Sequence, residues 1–400
     1  MLTDFDHRLM TRALELAERG LETTQPNPRV GCVIALGQEI VGEGWHERAG
    51  EPHAEVNALR AAGTRAAGAT AYVTLEPCSH HGRTPPCVEA LIAARVARVV
   101  FALEDPNPRV SGRGAVALRR AGVAVEPGLL AAEAAELNPG FLKRMRTGRP
   151  WVRVKLAMSL DGRTALANGE SQWITGPAAR EDVQHWRARS SAILTGIGTV
   201  LADDPRLDVR LPDPASGRPR PQPLRVVLDA RLQTPPAAKM LATGGNVLIM
   251  TAVDQGENEV ERAARRSQLL QRGAEIEEVA VSEPVAAAAT AAGTAAGAIR
   301  FSLSDVLDRL GRREINELWV EAGGRLAGAL LDESLVDELI LYVAPKLLGP
   351  RARALADIAD VQRLQEARQL TIIDTRQIGE DLRIRLRSAA GQLMHLDRGG

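Results

Sequence analysis

Cysteine is scarce in this sequence: Cys32, Cys78 and Cys87 are the only three in 400 residues. Three thiols cannot build a disulfide framework. Long apolar runs are also missing, and without a stretch of about eighteen such residues no membrane-spanning helix is expected. Net charge is absent too, because 50 Lys and Arg stand against 50 Asp and Glu. A chain so balanced projects no positive field that would drive unspecific nucleic-acid binding, and it has no basic strip interleaved with aromatic residues. The stretch Met1 to Gly20 carries Asp4, Asp6, Glu15 and Glu18 where a secretion signal would have a basic and then an apolar segment. The expectation is a cytoplasmic protein without nucleic-acid or membrane partners.

The length suits two domains, each large enough to bury a core. Leu9, Ala13, Leu16 and Ala17 recur at helical spacing and Arg19-Gly20 supplies a stop, which predicts an opening helix over 7–19. Val30 to Ala35 and Glu39 to Gly44 flank Leu36-Gly37-Gln38 and predict a hairpin. A second helix starts at Pro52-His53-Ala54-Glu55 and ends near Gly63. A strand over 69–75, a helix from Cys87, and strands over 97–103 and 123–127 complete an α/β layer domain. Asn138 to Pro150 breaks the pattern with Gly, Pro and Arg, which puts the boundary near residue 148. A second alternation follows: strand 151–157, helix 177–188, strands 192–195 and 224–229, then strand 317–322, helix 326–331 and strand 338–343. Val285 to Ala298 is low in complexity and reads as a surface helix or insertion, and the residues from Ser388 to Gly400 read as a loose tail. Cys32, inside Val30-Gly31-Cys32-Val33-Ile34, reads as a small buried strand residue.

Chemistry is concentrated in His53-Ala54-Glu55, Pro77-Cys78 and Cys87. One imidazole and two thiolates suit Zn²⁺, and three protein ligands leave its fourth tetrahedral position open to a water whose pKa the metal lowers. Both His53 and Cys87 lie at predicted helix starts, where the helix dipole favours a thiolate. Glu55, two residues from the histidine, is placed to carry protons. This order is the signature of zinc-dependent nucleobase deaminases, in which the Glu is an acid/base and not a ligand. One departure stands out: eight residues, Ser79 to Pro86, separate the cysteines where the common signature has two. A closed structural site that adds His80 or His81 as fourth ligand remains a chemical alternative.

The segment Leu75-Glu76-Pro77-Cys78-Ser79-His80-His81-Gly82-Arg83-Thr84-Pro85-Pro86-Cys87 resembles the deaminase half of the bifunctional riboflavin-biosynthesis deaminase/reductase family, and residues 1–148 resemble it almost throughout. The resemblance implies a cytidine-deaminase-like three-layer fold. It also implies substrate contacts from Asn27, His46, Arg83, Asp105 and Asn107, with Arg83 suited to a phosphoribosyl group.

From Trp151 the chain resembles the reductase half of the same family, which is related in fold to dihydrofolate reductase. The matching motifs are Lys155 to Thr164, Gly169 to Thr175, Thr199 to Pro205 and Trp319 to Ala329. The glycines Gly323-Gly324 lie between a predicted strand and helix, where bare N–H groups and the helix dipole meet phosphate. They do not form GxGxxG, so no Rossmann domain is expected. By resemblance Ala157, Trp173, Thr199, Asp203, Gly323, Gly324, Arg325, Leu326, Ala327, Gly328 and Ala329 contact NADPH. Ser171, Arg187, Leu207, Arg210 and Glu321 contact substrate. Trp173 reads equally well as a core aromatic, and arginines such as Arg187 are most often solvated.

The expected protein is therefore α/β in both halves, a zinc-dependent pyrimidine deaminase over 1–148 and an NADPH-dependent reductase over 149–387, with one zinc per chain. It would take a small-molecule phosphoribosyl pyrimidine substrate, and a homo-oligomer is compatible with the sequence. Two rivals stay open: a nucleic-acid base deaminase with an unrelated C-terminal domain, and a non-catalytic zinc-stabilised binding scaffold.

Overall fold

The computed structural model describes residues 2–79, 85–107, 110–212, 217–253, 259–281 and 300–393. The Ala-rich stretch, Arg83, His80 and His81 lie outside them. Residue contacts divide the chain into two compact units, Met1–Gly148 and Arg149–Gly400. No helix among the described residues is long and apolar enough to cross a membrane.

In the first unit α1 (Asp4–Glu18) starts with a reciprocal cap. The Thr3 hydroxyl accepts from the Asp6 N–H, and the Asp6 carboxylate accepts from the Thr3 N–H at 2.7 Å. The same buried carboxylate accepts from the Tyr72 hydroxyl and from Arg98, each at 2.7 Å, which ties the helix to the sheet beneath it. That sheet contains β1 (Gly31–Leu36), β2 (Glu39–Trp45), β3 (Thr70–Val73), β4 (Arg98–Phe101) and β5 (Ala124–Pro127), in the order β2-β1-β3-β4-β5. β1 pairs antiparallel with both β2 and β3, and the β3-β4-β5 pairs are parallel.

Side-chain alternation divides its two faces. Cys32, Ile34, Ala71, Val73, Val99 and Phe101 pack against α2 (Ala54–Ala62), α3 (Cys87–Ala93) and α4 (Arg113–Arg120). Val33, Ala35, Tyr72 and Val100 pack against α1 and α5 (Ala131–Leu137). The result is a three-layer α/β/α unit. Helix α2 lies very close to β2, since a Cβ on Gly44 would stand 2.4 Å from the Ala58 nitrogen. Only glycine permits that approach, and it sets the height of the helix whose start carries His53 and Glu55.

Where a linker was expected from Asn138, the chain forms α6 (Pro139–Thr147). Asn138 itself is buried: its Oδ1 accepts from the Arg29 N–H at 2.8 Å and its Nδ2 donates to the Arg29 carbonyl at 2.9 Å. An amide side chain that satisfies both backbone groups of a distant residue acts as a one-residue strand, and here it pins the Asn27-Pro28-Arg29 loop.

The second unit is built on β6 (Trp151–Ser159), β7 (Arg163–Ala165), β8 (Ala192–Gly196), β9 (Leu224–Leu228), β10 (Val247–Ala252), β11 (Glu275–Val279), β12 (Glu317–Glu321), β13 (Glu338–Ala344), β14 (Arg353–Ala354), β15 (Thr371–Ile378) and β16 (Asp381–Arg387). Nine of them form one sheet, β11-β10-β9-β8-β12-β6-β13-β16-β15, and β7 pairs with β14 apart from it. The run from β11 to β13 is parallel, and the last two strands are antiparallel. The main helices are α7 (Pro177–Arg189), α8 (Ile197–Asp203), α9 (Lys239–Ala242), α10 (Glu259–Gln271), α11 (Leu303–Arg312) and α12 (Gly324–Asp332).

One face of this sheet buries charge as well as apolar surface. Arg153 pairs with Glu317 and, at 2.6 Å, with Glu338, which also binds Arg385 at 2.7 Å. Trp186 of α7 stacks on Trp319 at 5.7 Å, with the guanidiniums of Arg153, Arg189, Arg383 and Arg385 between 5.0 and 5.6 Å from its ring. The expected loose tail is fastened at its start: the Ser388 N–H donates to the Asp337 carbonyl at 3.1 Å, and α13 (Ala389–Leu393) follows.

Candidate active sites

The first site gathers at the mouths of α2 and α3. His53 is the N-cap of α2 and Cys87 the first residue of α3, while Cys78 stands on the loop that leaves β3. The His53 Nδ1 lies 3.1 Å from the Cys87 Sγ and 3.6 Å from the Cys78 Sγ, and all three donor atoms fall within 4.8 Å of one another. With Zn–N near 2.0 Å and Zn–S near 2.3 Å, tetrahedral donors stand about 3.5 Å apart, so the set fits zinc. The Cys87 and Val88 N–H groups donate to the Cys78 Sγ at 3.3 Å and to its carbonyl at 3.2 Å, which fastens the ligand loop to the helix start. The Cys87 thiol, together with the His53 ring, holds the Cys78 thiol well below the usual thiol range.

Glu55 is 3 % exposed in the first turn of α2, and burial pushes its carboxyl above the ordinary value. Next to His53, with the His46 ring 5.4 Å from its own, begin the groups expected to read substrate. His46 is buried, with Nδ1 at 3.1 Å from the Pro52 carbonyl and Nε2 at 3.1 Å from the Asn27 Nδ2. Since a carbonyl only accepts, Nδ1 carries the proton and Nε2 accepts from Asn27, which leaves the Asn27 Oδ1 as acceptor for something else. Asp105 is buried, and its Oδ1 accepts from the Asn107 N–H at 2.8 Å. Burial pushes its carboxyl up to about 7, against that N–H, which favours the ionised form.

The second site lies at the carboxyl ends of the parallel strands, where open α/β sheets bind ligands. Glu321 ends β12 opposite Lys155 of β6. Its carboxylate accepts from the Arg187 Nε at 2.6 Å, from the Arg187 Nη2 at 2.8 Å and from the Trp319 indole at 2.8 Å. Burial opposes this charge, but Arg187, Lys155 and the indole outweigh it and hold the carboxyl at about 2. Burial pulls Lys155 below the ordinary lysine range. The third Arg187 nitrogen donates to the Asp208 carbonyl at 3.0 Å, so this arginine is buried and engaged rather than solvated. Arg210 binds the Asp208 carboxylate at 2.5 Å with its side chain half exposed, and Leu207 is buried beside it.

Gly323 is the N-cap of α12, and a Cβ there would meet nothing within 4 Å. A Cβ on Gly324 would instead lie 3.4 Å from the Ala356 backbone, and one on Gly328 would stand 2.0 Å from the Asp357 carbonyl oxygen. The glycine that opens onto free space is therefore Gly323. The helix start faces the end of β8, with Gly196 near the Leu326 side chain, and Thr199 and Asp203 follow on α8. Gln172 donates to Asp203 at 3.3 Å, which brings the Ser171–Trp173 segment to the same rim. Trp173 is 64 % exposed and carries the Arg180 guanidinium 4.6 Å from its ring, so the core alternative for it is ruled out. A bare helix start, an exposed indole and neighbouring polar groups fit a phosphate-bearing nicotinamide cofactor.

Residues 3–103 match the family model of the cytidine and deoxycytidylate deaminase zinc-binding region, and residues 150–384 match the RibD C-terminal domain. The riboflavin biosynthesis protein RibD of Escherichia coli is 49 % identical over 388 residues, which cover 95 % of this chain and 99 % of that protein. The Haemophilus influenzae protein of the same name is 46 % identical over 94 % of this chain and 95 % of its own. Among solved structures, Acinetobacter baumannii RibD superposes with a TM-score of 0.84 at 46 % identity, covering 96 % of this chain and 99 % of that one. The Thermotoga maritima diaminohydroxyphosphoribosylaminopyrimidine deaminase/5-amino-6-(5-phosphoribosylamino)uracil reductase superposes at 0.78 with 29 % identity, again over 96 % and 99 %. The chain belongs to the RibD family.

As a RibD family member it is a bifunctional deaminase and reductase of riboflavin biosynthesis, with a zinc-binding deaminase region in the first unit and a dihydrofolate-reductase-like domain in the second. The reductase match over most of the second half leaves no room for an unrelated C-terminal domain. Within this RibD chain the residues named from the sequence differ in burial. Ala327 packs in the core, Gly328 is jammed against Asp357, and Arg325 is exposed. Ala157 and Ser171 are partly buried. Sequence reasoning passed over Glu76, Asn138 and Lys346, whose Nζ donates to the Trp173 and Ile174 carbonyls at 3.1 and 2.7 Å. Glu76 carried a signal, a carboxylate inside the apolar run before Pro77-Cys78.

Proposed function

We propose that the first unit hydrolytically deaminates 2,5-diamino-6-(5-phosphoribosylamino)pyrimidin-4(3H)-one, and that the second reduces the ribosyl side chain of the product to ribityl with NADPH. The convergence of His53, Cys78 and Cys87 beside the buried Glu55 carries the deaminase half. The names of the relatives support the substrate. One zinc per chain would be held by those three residues, and when bound it supplies Lewis-acid activation of water at neutral pH. Glu55 takes a proton from the attacking water and returns one to the departing ammonia, a double task that suits a carboxyl whose pKa burial has raised. Asn27, Asp105 and Asn107 fix the ring edge, and Arg83 takes the phosphate.

In the second unit NADPH supplies a hydride, and its phosphates rest at the start of α12 with Trp173, Thr199 and Asp203 around them. Arg187 spends its described bonds on Glu321 and Asp208, so its task is to orient Glu321 as a fixed acceptor for a substrate hydroxyl. The exposed guanidinium face of Arg210 then meets the substrate phosphate. The working division lies at Gly148/Arg149, and the enzyme works in the cytoplasm.

The test is a two-assay experiment on full-length protein. Ammonia should appear from the diaminopyrimidine without any nicotinamide. NADPH, in preference to NADH, should be oxidised only when the deaminated compound is present. Zinc removal should stop the first reaction and spare the second. Ammonia release that survives complete zinc removal would overturn the deaminase assignment.

A further inference from the structure

Glu76 is neither a metal ligand nor a substrate contact in the reading above, yet it is 3 % exposed and both oxygens of its carboxyl group accept hydrogen bonds. Its Oε2 accepts from the N–H of Gly112 at 2.9 Å and of Asp105 at 3.3 Å, and its Oε1 accepts from the N–H of Ala115 at 3.1 Å. The Glu76 N–H in turn donates to the Leu103 carbonyl at 2.8 Å. Two residues later in the chain stands the thiol of Cys78.

The helix it meets explains why this carboxylate is needed. Helix α4 starts from Gly112, which has φ +70 and no side chain to cap the helix. Its first N–H groups would go unsatisfied in a buried place. Glu76 does the work of the missing N-cap from 36 residues upstream, setting its acceptor oxygens at the positive end of the helix. Through the Asp105 N–H the same carboxylate also holds the turn in which the Asp105 Oδ1 accepts from Asn107.

From this geometry we infer that Glu76 is a positioning residue for deamination: it fixes the distance between the zinc ligand loop at Cys78 and the substrate-reading turn Asp105–Asn107. The inference rests on the proposed deaminase function, in which that turn contacts the pyrimidine. A one-residue bridge between metal ligand and ring-reading groups sets where the pyrimidine is gripped against the reacting water, and a displaced turn loosens that grip.

Glu76→Gln tests it in the full-length protein. The amide keeps the shape, but its –NH₂ faces N–H donors and must turn away from one side of the cradle. With rates normalised to bound zinc, KM for the diaminopyrimidine should rise about tenfold or more while NADPH oxidation with the deaminated substrate is unchanged. A merely structural role would lower the folded, zinc-loaded fraction and leave KM alone, and an unchanged KM overturns the inference. Glu76→Gln combined with Gly112→Asn covers the case in which the single variant does not fold, because Asn tolerates positive φ and caps α4 locally. In that double variant stability should return and KM should stay raised, since an amide cannot accept on both sides of the cradle and its hold on the Asp105–Asn107 turn stays weaker than the carboxylate's. A wild-type KM there would reduce Glu76 to a helix cap. Wild-type protein that releases no ammonia would instead refute the function on which the inference rests.

Discussion

Each half of the molecule buries a carboxylate at its site, and the two are driven in opposite directions. Glu55 lies among the zinc-ligand side chains, and burial lifts its carboxyl above the ordinary range. Glu321 is largely enclosed as well, but Arg187, Lys155 and the Trp319 indole overcome burial and hold it at about 2. A carboxyl whose ionisation burial disfavours can exchange protons; one clamped by a bidentate guanidinium cannot, and serves as a fixed negative acceptor. The same difference runs through the units around them. The deaminase site uses few charges and leaves them reactive, whereas the reductase sheet neutralises charge against charge from Arg153 to Glu317 and Glu338.

The contrast is broken most severely at Glu55. Glu55→Gln keeps shape and zinc but abolishes proton transfer, so deamination should fall by about a hundredfold to ten-thousandfold. Reduction of pre-deaminated substrate should not change. Ammonia release and zinc content measured on one preparation decide it, and near-normal turnover with zinc present would remove Glu55 from the proton path.

The two sites also differ in how far they could be read from the chain. His53, Glu55, Cys78 and Cys87 fall within 35 consecutive residues, and their types are rare enough together to name the chemistry. The reductase site draws on positions from Ala157 to Ala329, each ordinary by itself, and apart from the Gly323-Gly324 turn resemblance alone singled them out. Neither the burial of Arg187 nor the exposure of Trp173 is visible in local pattern, because both follow from which strands become neighbours. Strand β15, Thr371–Ile378, exposes residues on both faces, with Ile372 63 % exposed, so no alternation betrays it. Asn138 looked like a loop residue because its two partners lie on Arg29, 109 positions away. Hydrogen bonds at that separation leave no trace in composition.

The reductase charge ladder yields the next largest effect. Arg153→Met leaves Glu338 with Arg385 and the Trp151 indole, and Glu317 with Arg189 among its partners, both carboxylates still out of water. Removing one member of a buried ionic set costs about 3–5 kcal/mol, so the second unit should unfold at much lower denaturant concentration. Four of the five tryptophans, Trp151, Trp173, Trp186 and Trp319, lie in this unit, so tryptophan fluorescence follows its unfolding. A midpoint equal to that of the wild type would mean that the ladder contributes no net stability.

Acid should act on the same ladder more gently. Burial opposes ionisation of Glu338, but Arg153 and Arg385 outweigh it and hold the carboxyl at about 2, as Arg187 does for Glu321. Both folded values lie below the unfolded one. Their contribution is therefore complete above about pH 4.5 and is lost as pH falls toward about 2, on the order of 2–3 kcal/mol for each carboxylate. Denaturant midpoints of the fluorescence transition should hold steady from pH 7 to about 5 and then decline. A flat profile to pH 3 would show that the paired charges are not what holds this face together.

The smallest expected effect sharpens the comparison at the cofactor. Gly323 and Gly324 look equivalent in sequence, but only at Gly323 does an added Cβ point into open space; at Gly324 it meets the Ala356 and Asp357 backbone at 3.4 and 3.6 Å. Gly323→Asp is therefore the cleaner probe, since it can place a carboxylate at the start of α12 without displacing protein. A carboxylate there takes the helix-dipole position that phosphate would use and repels its charge, so NADPH affinity should fall about tenfold. Aspartate is also a good N-cap, so stability should be kept or slightly raised, which separates the binding loss from unfolding. Titration with NADPH and ammonia release run side by side give the answer. Unchanged affinity would move the phosphate site away from α12, and a parallel loss of deamination would show that the two sites are coupled.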